Sequence, residues 1–352
     1  MSRLAEVADH APSRPVAGQG PAMAAQVSDG ILDVHGGLAL HHGGTLGTVR
    51  VAWRLEGPSG APVVVAMGGI SAHRRIYSLS SAREGWWPEL AGPGLPLDAS
   101  RYRLLGFDYL GGSGETTGPG PVDTAFPAIS SYDQAAILEK LCEALDIARL
   151  HAIVGASYGG MVALAFAERY PERVGRILVI SAAHRTNPLA TAWRSVEREA
   201  VRFGMSHGDG AGGLRLARAL AMATYRTRQE FEQRFDGPAE VTGTRAIFPV
   251  ERYLLARGED YARRYAPGAF MCLSESIDLH RVTPESIAVP ATLVAVTEDQ
   301  LVTVDEMREL ESRLAGPRRL YEIHSLFGHD AFLKERGQLA PVFAQALDGA
   351  PR

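Results

Sequence analysis

The pentapeptide Gly155–Gly159, with the sequence Gly-Ala-Ser-Tyr-Gly, constrains the fold of this chain more than any other segment. It follows an apolar run that is typical of a buried strand, and a helical pattern begins at Gly160. A serine at such a strand-to-helix turn lies on strained backbone and points its hydroxyl away from the sheet edge. We therefore predict that Ser157 is a nucleophile. The backbone N–H of Tyr158, at a helix N-terminus, is placed to stabilise an oxyanion.

Short apolar runs alternate with helical patterns on both sides of this turn. One alternating segment, 47–53, predicts an antiparallel strand, and six continuous runs predict buried strands at 62–67, 102–107, 151–154, 176–180, 291–296 and 320–323. Helical patterns at 132–145 and 160–170 separate several of them. Strands that alternate with helices predict an α/β fold whose mostly parallel sheet is covered on both faces.

One interval interrupts this alternation. Residues 187–280 contain amphipathic helical patterns but no buried-strand run, and the patterns cover 192–202, 213–225, 228–235 and 250–265. This insertion leaves the C-terminal edge of a strand, where ligands bind in open α/β sheets, so we expect a helical lid over the site. The core is then 31–186 and 281–352. Residues 1–30, rich in Ala, Pro, Gly and Ser without periodicity, predict a mobile leader.

A nucleophilic serine needs a base and an orienting acid, which follow it along the chain in the order acid, then histidine. Asp299 comes after the run 291–296, and His329 comes after the last predicted strand, beside a glycine. They are our candidates for the acid and the base. Glu298 is the competing acid and His324 the competing base.

A second oxyanion donor is expected from the loop after the run 62–67. The loop reads Gly-Gly-Ile-Ser at 68–71, and glycine allows its backbone to approach a substrate closely. The predicted donor is the N–H of Ile70, with Gly69 as the alternative.

Charge and composition exclude several classes of function. A net charge of -4 and a pI of about 6.3 argue against a nucleic-acid partner. No apolar stretch approaches the ~20 residues needed to cross a bilayer, and no spacing of histidines and cysteines indicates a metal site. Only two cysteines occur, Cys142 and Cys272, which favours a reducing compartment and hence the cytoplasm. We expect no redox or metal cofactor.

Several separated motifs resemble those of the homoserine O-acyltransferase family, acyl-CoA-dependent α/β-hydrolase-fold enzymes of methionine biosynthesis. They are Gly85-Trp86-Trp87, Gly92-Pro93-Gly94, Leu110–Gly114 with Thr117-Gly118-Pro119, Ser157–Met161, Val196–Ala200, Thr224–Arg226, Val250–Leu254 and Gly328–Leu333. The resemblance implies an α/β-hydrolase fold and ping-pong transfer of an acyl group from acyl-CoA, a substrate, to homoserine. It implies that Arg198 binds the amino acid's carboxylate and that Asp330 binds its ammonium. It also implies a homodimer formed through lid helices.

The donor is open between succinyl-CoA and acetyl-CoA. A succinyl group carries a carboxylate whose burial requires a cation, and Arg194 lies one helical turn before Arg198, on the same face. Relatives that use succinyl-CoA resemble this chain in having that arginine, so we expect Arg194 to pair with the succinyl carboxylate; His184-Arg185 is the second candidate. Homoserine and serine differ by one methylene, which leaves the acceptor open. The competing classes are an esterase or thioesterase with the same three residues, and a non-catalytic binding protein on the same scaffold.

Overall fold

The computed structural model describes residues 26–78, 84–120 and 126–348, and an eight-stranded sheet runs through them. In chain order the strands are β1 (Gln26–Val34), β2 (Val49–Gly57), β3 (Val63–Met67), β4 (Arg103–Phe107), β5 (Ala152–Ala156), β6 (Ile177–Ile180), β7 (Ala291–Val296) and β8 (Arg318–Ile323). In space they are ordered β1-β2-β4-β3-β5-β6-β7-β8. The pairs β1–β2 and β2–β4 are antiparallel and the others are parallel. The predicted α/β fold with a mostly parallel sheet is confirmed.

The sheet separates two apolar cores, because successive side chains of a strand point to opposite faces. In β3, Val65 and Met67 belong to one core, and Val64 and Ala66 belong to the other. The helices are α1 (Ser131–Ala144), α2 (Tyr158–Arg169), α3 (Pro188–Ser206), α4 (Gly210–Tyr225), α5 (Arg228–Phe235), α6 (Pro249–Ala262), α7 (Pro267–Asp278), α8 (Val304–Arg313) and α9 (Arg336–Asp348). None of the helices within the described ranges is long and apolar enough to cross a membrane.

Helices α3 to α7 lie between β6 and β7, in the interval where the sequence predicts an insertion. The insertion also contains two elements that the sequence analysis missed. One is a hairpin of Glu240–Thr242 and Arg245–Ile247, whose strands are exposed and therefore carry little apolar signal. The other is α7, which starts at Pro267, a residue suited to the first turn of a helix.

The prediction that the leader extends to residue 30 is wrong for its last five residues. Residues 26–30 form the first half of β1 and pair with 53–57 of β2. Their side chains are mostly exposed, so the backbone pairing that orders them leaves no hydrophobic pattern in the sequence. The rest of the predicted leader, residues 1–25, lies outside the described residues, as do residues 349–352 of the predicted core.

Candidate active site

Ser157 lies in the tight turn between β5 and α2. Its backbone has φ 53° and ψ −123°, a left-handed conformation that is unfavourable for a residue with a side chain. The flanking glycines are required by space. A Cβ on Gly155 would collide with the carbonyl oxygen of Gly159, and a Cβ on Gly159 would collide with that of Met67. The sequence therefore fixes a strained turn that presents the serine hydroxyl at the carboxyl edge of the sheet.

The structure brings Ser157, His329 and Asp299 into one hydrogen-bonded relay. His329 Nδ1 lies 2.7 Å from Asp299 Oδ2, and His329 Nε2 lies 2.8 Å from Ser157 Oγ. A carboxylate only accepts, so Nδ1 carries the proton and Nε2 accepts from the serine hydroxyl. The His329 side chain is 7% exposed and that of Asp299 is fully buried. This arrangement can deprotonate a serine in a site with little water.

The acid and the base are each fixed by their own loop. Asp299 follows β7, and its Oδ1 accepts hydrogen bonds from the backbone N–H groups of Leu301 and Val302, at 2.8 and 3.1 Å. His329 follows Gly328, which adopts φ +53°, and a Cβ there would lie 2.6 Å from the carbonyl oxygen of Tyr225 in the lid. The His329 loop therefore needs glycine in order to pack under α4.

Burial lowers the pKa of His329, but the adjacent Asp299 carboxylate outweighs it and holds this pKa above its ordinary value. The competing residues predicted from the sequence pair with each other instead. His324 Nδ1 lies 3.1 Å from Glu298, and the His324 side chain is 81% exposed. This second acid–histidine pair therefore lies at the surface, apart from the serine.

The two predicted oxyanion donors, the N–H groups of Tyr158 and Ile70, belong to segments at the same edge of the sheet. Neither donates a hydrogen bond to another residue within 26–78, 84–120 or 126–348. The loop that carries Ile70 is held from two sides. Tyr109 Oη donates to the carbonyl oxygen of Gly68 at 2.7 Å, and Tyr265 Oη, from the lid, donates to that of Ile70 at 2.7 Å.

A cavity opens over Ser157 and His329, between the sheet and the lid. The core contributes Ile70, Trp86 and Asp330 to its lining, and the lid contributes charged side chains, namely Arg194, Glu197 and Arg218, beside aromatic and aliphatic ones. The neighbouring Trp87 indole donates a hydrogen bond to the carbonyl oxygen of Phe332 at 2.8 Å, which anchors the segment after His329. Trp86 thus lines the cavity, and Trp87 holds the backbone of the segment that follows His329.

Asp330 lines the cavity next to the base, as its predicted role requires. Its carboxylate lies 3.0 Å from Arg226 Nη2, and Arg226 in turn lies 3.2 Å from Glu230. Asp330 is 8% exposed, so this ion pair keeps a charged carboxylate in a buried place.

Arg194 lines the cavity, but it is not a free cation. Asp278 lies between Arg194 and Arg198, with its two oxygens 2.7 and 2.6 Å from the respective guanidinium groups. The structure does not bring Arg198, the predicted partner of the substrate's carboxylate, into this cavity. Arg198 is absent from the described lining of the cavity, and its guanidinium is occupied by Asp278 and Ser274. Of the second candidate for the succinyl carboxylate, His184-Arg185, the arginine lines the cavity with a side chain that is 46% exposed, whereas His184 is buried and absent from the described lining.

Sequence reasoning missed the guanidinium that is best placed for an anionic ligand. Arg218 of α4 lines the cavity, and its Cζ lies 4.7 and 5.2 Å from the ring centroids of Tyr261 and Tyr225. Among the residues that the structure describes, no carboxylate lies within ion-pair distance of it. A signal was present, because Arg218 follows the buried Leu214 by four positions and so shares its face of a mostly apolar helix, whose other charged residue is Arg215.

Residues 62–335 match the family model of the alpha/beta hydrolase fold. The chain is 43% identical over 312 residues to a homoserine O-succinyltransferase of Xanthomonas campestris pv. campestris, a match that covers 88% of this chain and 82% of the relative. It is 32% identical to a serine O-succinyltransferase of Litchfieldella anticariensis, with 90% of this chain and 97% of that protein covered.

A homoserine O-acetyltransferase structure from Bacillus anthracis superposes on the chain with a TM-score of 0.83 at 19% identity, covering 93% of this chain and 99% of that one. The structural likeness shows the fold, and the two sequence matches show which family of that fold the chain belongs to. The chain therefore belongs to the α/β-hydrolase fold family and, within it, to the homoserine O-acyltransferase family.

Proposed function

We propose that this enzyme transfers a succinyl group from succinyl-CoA to the hydroxyl of L-homoserine. The observation that carries the choice of substrates is the 43% identity to a homoserine O-succinyltransferase over most of both chains. The cavity supports it, because three arginines and two carboxyl side chains line it beside the serine–histidine relay. A plain esterase has no use for a cationic lining of this kind, so the geometry favours a substrate that carries its own charges.

In the first half-reaction His329 takes the proton of Ser157 as the serine oxygen attacks the thioester carbonyl. The oxyanion that forms is stabilised by the N–H groups of Tyr158 and Ile70. Collapse of the tetrahedral intermediate breaks the carbon–sulfur bond, and His329 returns its proton to the departing CoA thiolate. Ser157 is left as a succinyl ester, and no cofactor takes part.

In the second half-reaction His329 deprotonates the hydroxyl of homoserine, which attacks the succinyl ester. The second tetrahedral intermediate releases O-succinylhomoserine and returns the proton to Ser157. The acceptor's ammonium binds to the Asp330 carboxylate. Its carboxylate binds to Arg218, whose planar fork has no other carboxylate to hold among the described residues. The lid keeps water away from the ester while the acceptor binds.

Arg194 is the proposed donor-recognition residue. It lines the same cavity as Ser157, and Asp278 holds its guanidinium in place from behind. The succinyl carboxylate would occupy the donors that Asp278 leaves free. Acetyl-CoA, which lacks this carboxylate, gains nothing from the contact, so Arg194 favours the larger donor.

The substrate proposal is tested by supplying the purified enzyme with each pairing of succinyl-CoA or acetyl-CoA with L-homoserine or L-serine, and following free CoA thiol. We expect release that requires succinyl-CoA and homoserine together. A preference for acetyl-CoA would overturn the donor assignment, and a preference for serine would overturn the acceptor. Thiol release that is indifferent to any amino acid would identify a thioesterase instead.

We further infer that two copies associate through the lid. Leu189, Val196 and Phe203 follow one another at intervals of seven along α3 and are 58%, 59% and 68% exposed, and Leu216 of α4 is 50% exposed. A stripe of this kind on a lid helix is suited to packing against a second copy. Sedimentation of the wild type as a dimer, and of Phe203→Asp as a monomer, would support this; a monomeric wild type would overturn it.

We also propose that the enzyme acts in the cytoplasm, in methionine biosynthesis. Cys142 and Cys272 are both free thiols, which fits a reducing compartment. Fractionation of cells for this protein, and growth of a deletion strain with and without methionine, test the two parts separately. Methionine-independent growth of the deletion strain would contradict the second.

A further inference from the structure

Glu197 is a buried carboxyl group for which the mechanism above has no use. It lies on α3, one helical turn after Arg194, and lines the cavity over Ser157 while being only 4% exposed. The other acidic side chains of this region, Asp278 and Asp330, are each ion-paired. Within the described residues Glu197 has neither an ion pair nor a hydrogen bond. A buried carboxyl without a partner is costly unless it is neutral or meets a ligand.

Glu197 lines the same cavity as Arg194 and Arg218, the two proposed anion sites. Charged and titratable groups face it from four lid helices: Arg194 and Arg198 of α3, Arg218 and Tyr225 of α4, Tyr261 of α6 and Asp278 of α7. Burial raises the pKa of Glu197 to about 7; Arg194, Arg218 and Arg198 oppose this rise, and Asp278 adds to it. Arg194 is the largest of the opposing influences. A ligand carboxylate on Arg194 would offset that influence and favour the protonated form further.

We propose that Glu197 makes donor binding proton-linked: it takes up one proton from solvent when the succinyl carboxylate binds to Arg194, and then donates a hydrogen bond to that carboxylate. The proposal rests on the proposed succinyl donor. It gives the enzyme a second, neutral contact to the succinyl group that acetyl-CoA cannot use. It also resolves the unpaired state of Glu197, because a protonated carboxyl needs an acceptor and the ligand supplies one.

Proton uptake can be measured directly with a variant that binds donor without turning it over. Ser157→Ala is titrated with succinyl-CoA and with acetyl-CoA by calorimetry at pH 8, in two buffers of different ionisation enthalpy. We expect uptake approaching one proton per site for succinyl-CoA and about none for acetyl-CoA, which shares the CoA moiety. The uptake should vanish in Ser157→Ala/Glu197→Gln. It should persist in Ser157→Ala/Glu199→Gln, since Glu199 lies on the same helix and is ion-paired to Arg202 at the surface.

Equal uptake with both donors, or uptake that survives Glu197→Gln, would overturn the proposal. A second test uses the steady-state kinetics of the wild-type enzyme and needs no variant. The ratio of kcat/KM for succinyl-CoA to that for acetyl-CoA should fall by about tenfold per pH unit above the pH at which Glu197 ionises. A flat ratio in a wild type that does transfer succinyl would refute the role of Glu197 alone. Absence of homoserine-dependent succinyl transfer would instead refute the proposed function on which it depends.

Discussion

The core and the lid hold their functional groups by different means. In the core, backbone geometry places each group: Ser157 lies in a strained turn, Asp299 is fixed by two backbone N–H groups, and His329 follows a glycine with positive φ. In the lid, side chains place one another. Asp278 holds two arginines of α3, and Arg218 lies against two tyrosine rings. The core is thus built for one chemistry, whereas the lid can exchange its partners and so change its substrates.

The largest effect is expected at Ser157, where the core geometry acts on the chemistry itself. Ser157→Ala should lower kcat by on the order of 10⁴-fold or more, because no other group can carry the acyl chain. Free thiol release in the presence of both substrates measures the loss. Intact-mass analysis after addition of succinyl-CoA alone should show a succinyl adduct on the wild type and none on the variant. An adduct on the variant would mean that another residue is the nucleophile.

Two adjacent carboxylates test whether backbone placement, rather than mere proximity, makes a residue part of the core relay. Asp299→Asn should lower kcat by on the order of 10³- to 10⁴-fold, because the imidazole loses the acceptor that fixes its tautomer. Glu298→Gln is the matched control and should change kcat by less than about twofold, since surface ion pairs contribute little. Steady-state kinetics of both variants decide the point. Comparable losses in the two would contradict the assignment of the acid.

The same relay sets the acid limb of the pH profile. His329 must be neutral to accept a proton, and Asp299 holds its pKa above the ordinary value of 6.5. We therefore expect kcat/KM for the donor to fall as the pH drops through a value above 6.5. In Asp299→Asn the effect of burial dominates and lowers the pKa of His329. The acid limb of the residual activity should therefore move to lower pH. An acid limb that stays in place in the variant would assign it to another group.

The contrast between the two regions also explains what could be predicted from the sequence. The serine–histidine–aspartate relay could be predicted because glycines and strand ends have strict local requirements. These requirements identify Ser157, Asp299 and His329 in their order along the chain. The roles of the lid arginines could not be predicted in this way. The spacing of Arg194 and Arg198 shows that they share a helix face, but the packing of α7 decides that Asp278 lies between them. Arg218 belongs to no motif, and only its place among buried apolar neighbours marks it.

The lid should tolerate exchange except at Arg218, which lines the cavity and has no carboxylate partner among the residues that the structure describes. Arg218→Lys should raise the KM for homoserine by about 10²-fold, because a lysine cannot form the two parallel hydrogen bonds of a guanidinium. Arg198→Lys, the matched control, should leave this KM within about threefold, since a lysine can still reach Asp278 as a point charge. Kinetics at saturating succinyl-CoA provide the comparison. The reverse order of effects would restore Arg198 as the acceptor's partner.

The smallest effect is expected at Arg194, because Asp278 already occupies part of its guanidinium and leaves the succinyl group only the remaining donors. Arg194→Asn should lower kcat/KM for succinyl-CoA by about tenfold and leave that for acetyl-CoA nearly unchanged, so that the donor ratio moves by about the same factor. Arg202→Asn controls for charge on the same helix, since Arg202 pairs with Glu199 and Glu275 at the surface. If the ratio does not move, Arg194 only supports the lid, and Arg185, the half-exposed arginine of the lining, becomes the group to test. If both donors slow equally, the loss of one of the two arginine partners of Asp278 has loosened α3, and the lid depends on its ion pairs for shape as well as for specificity.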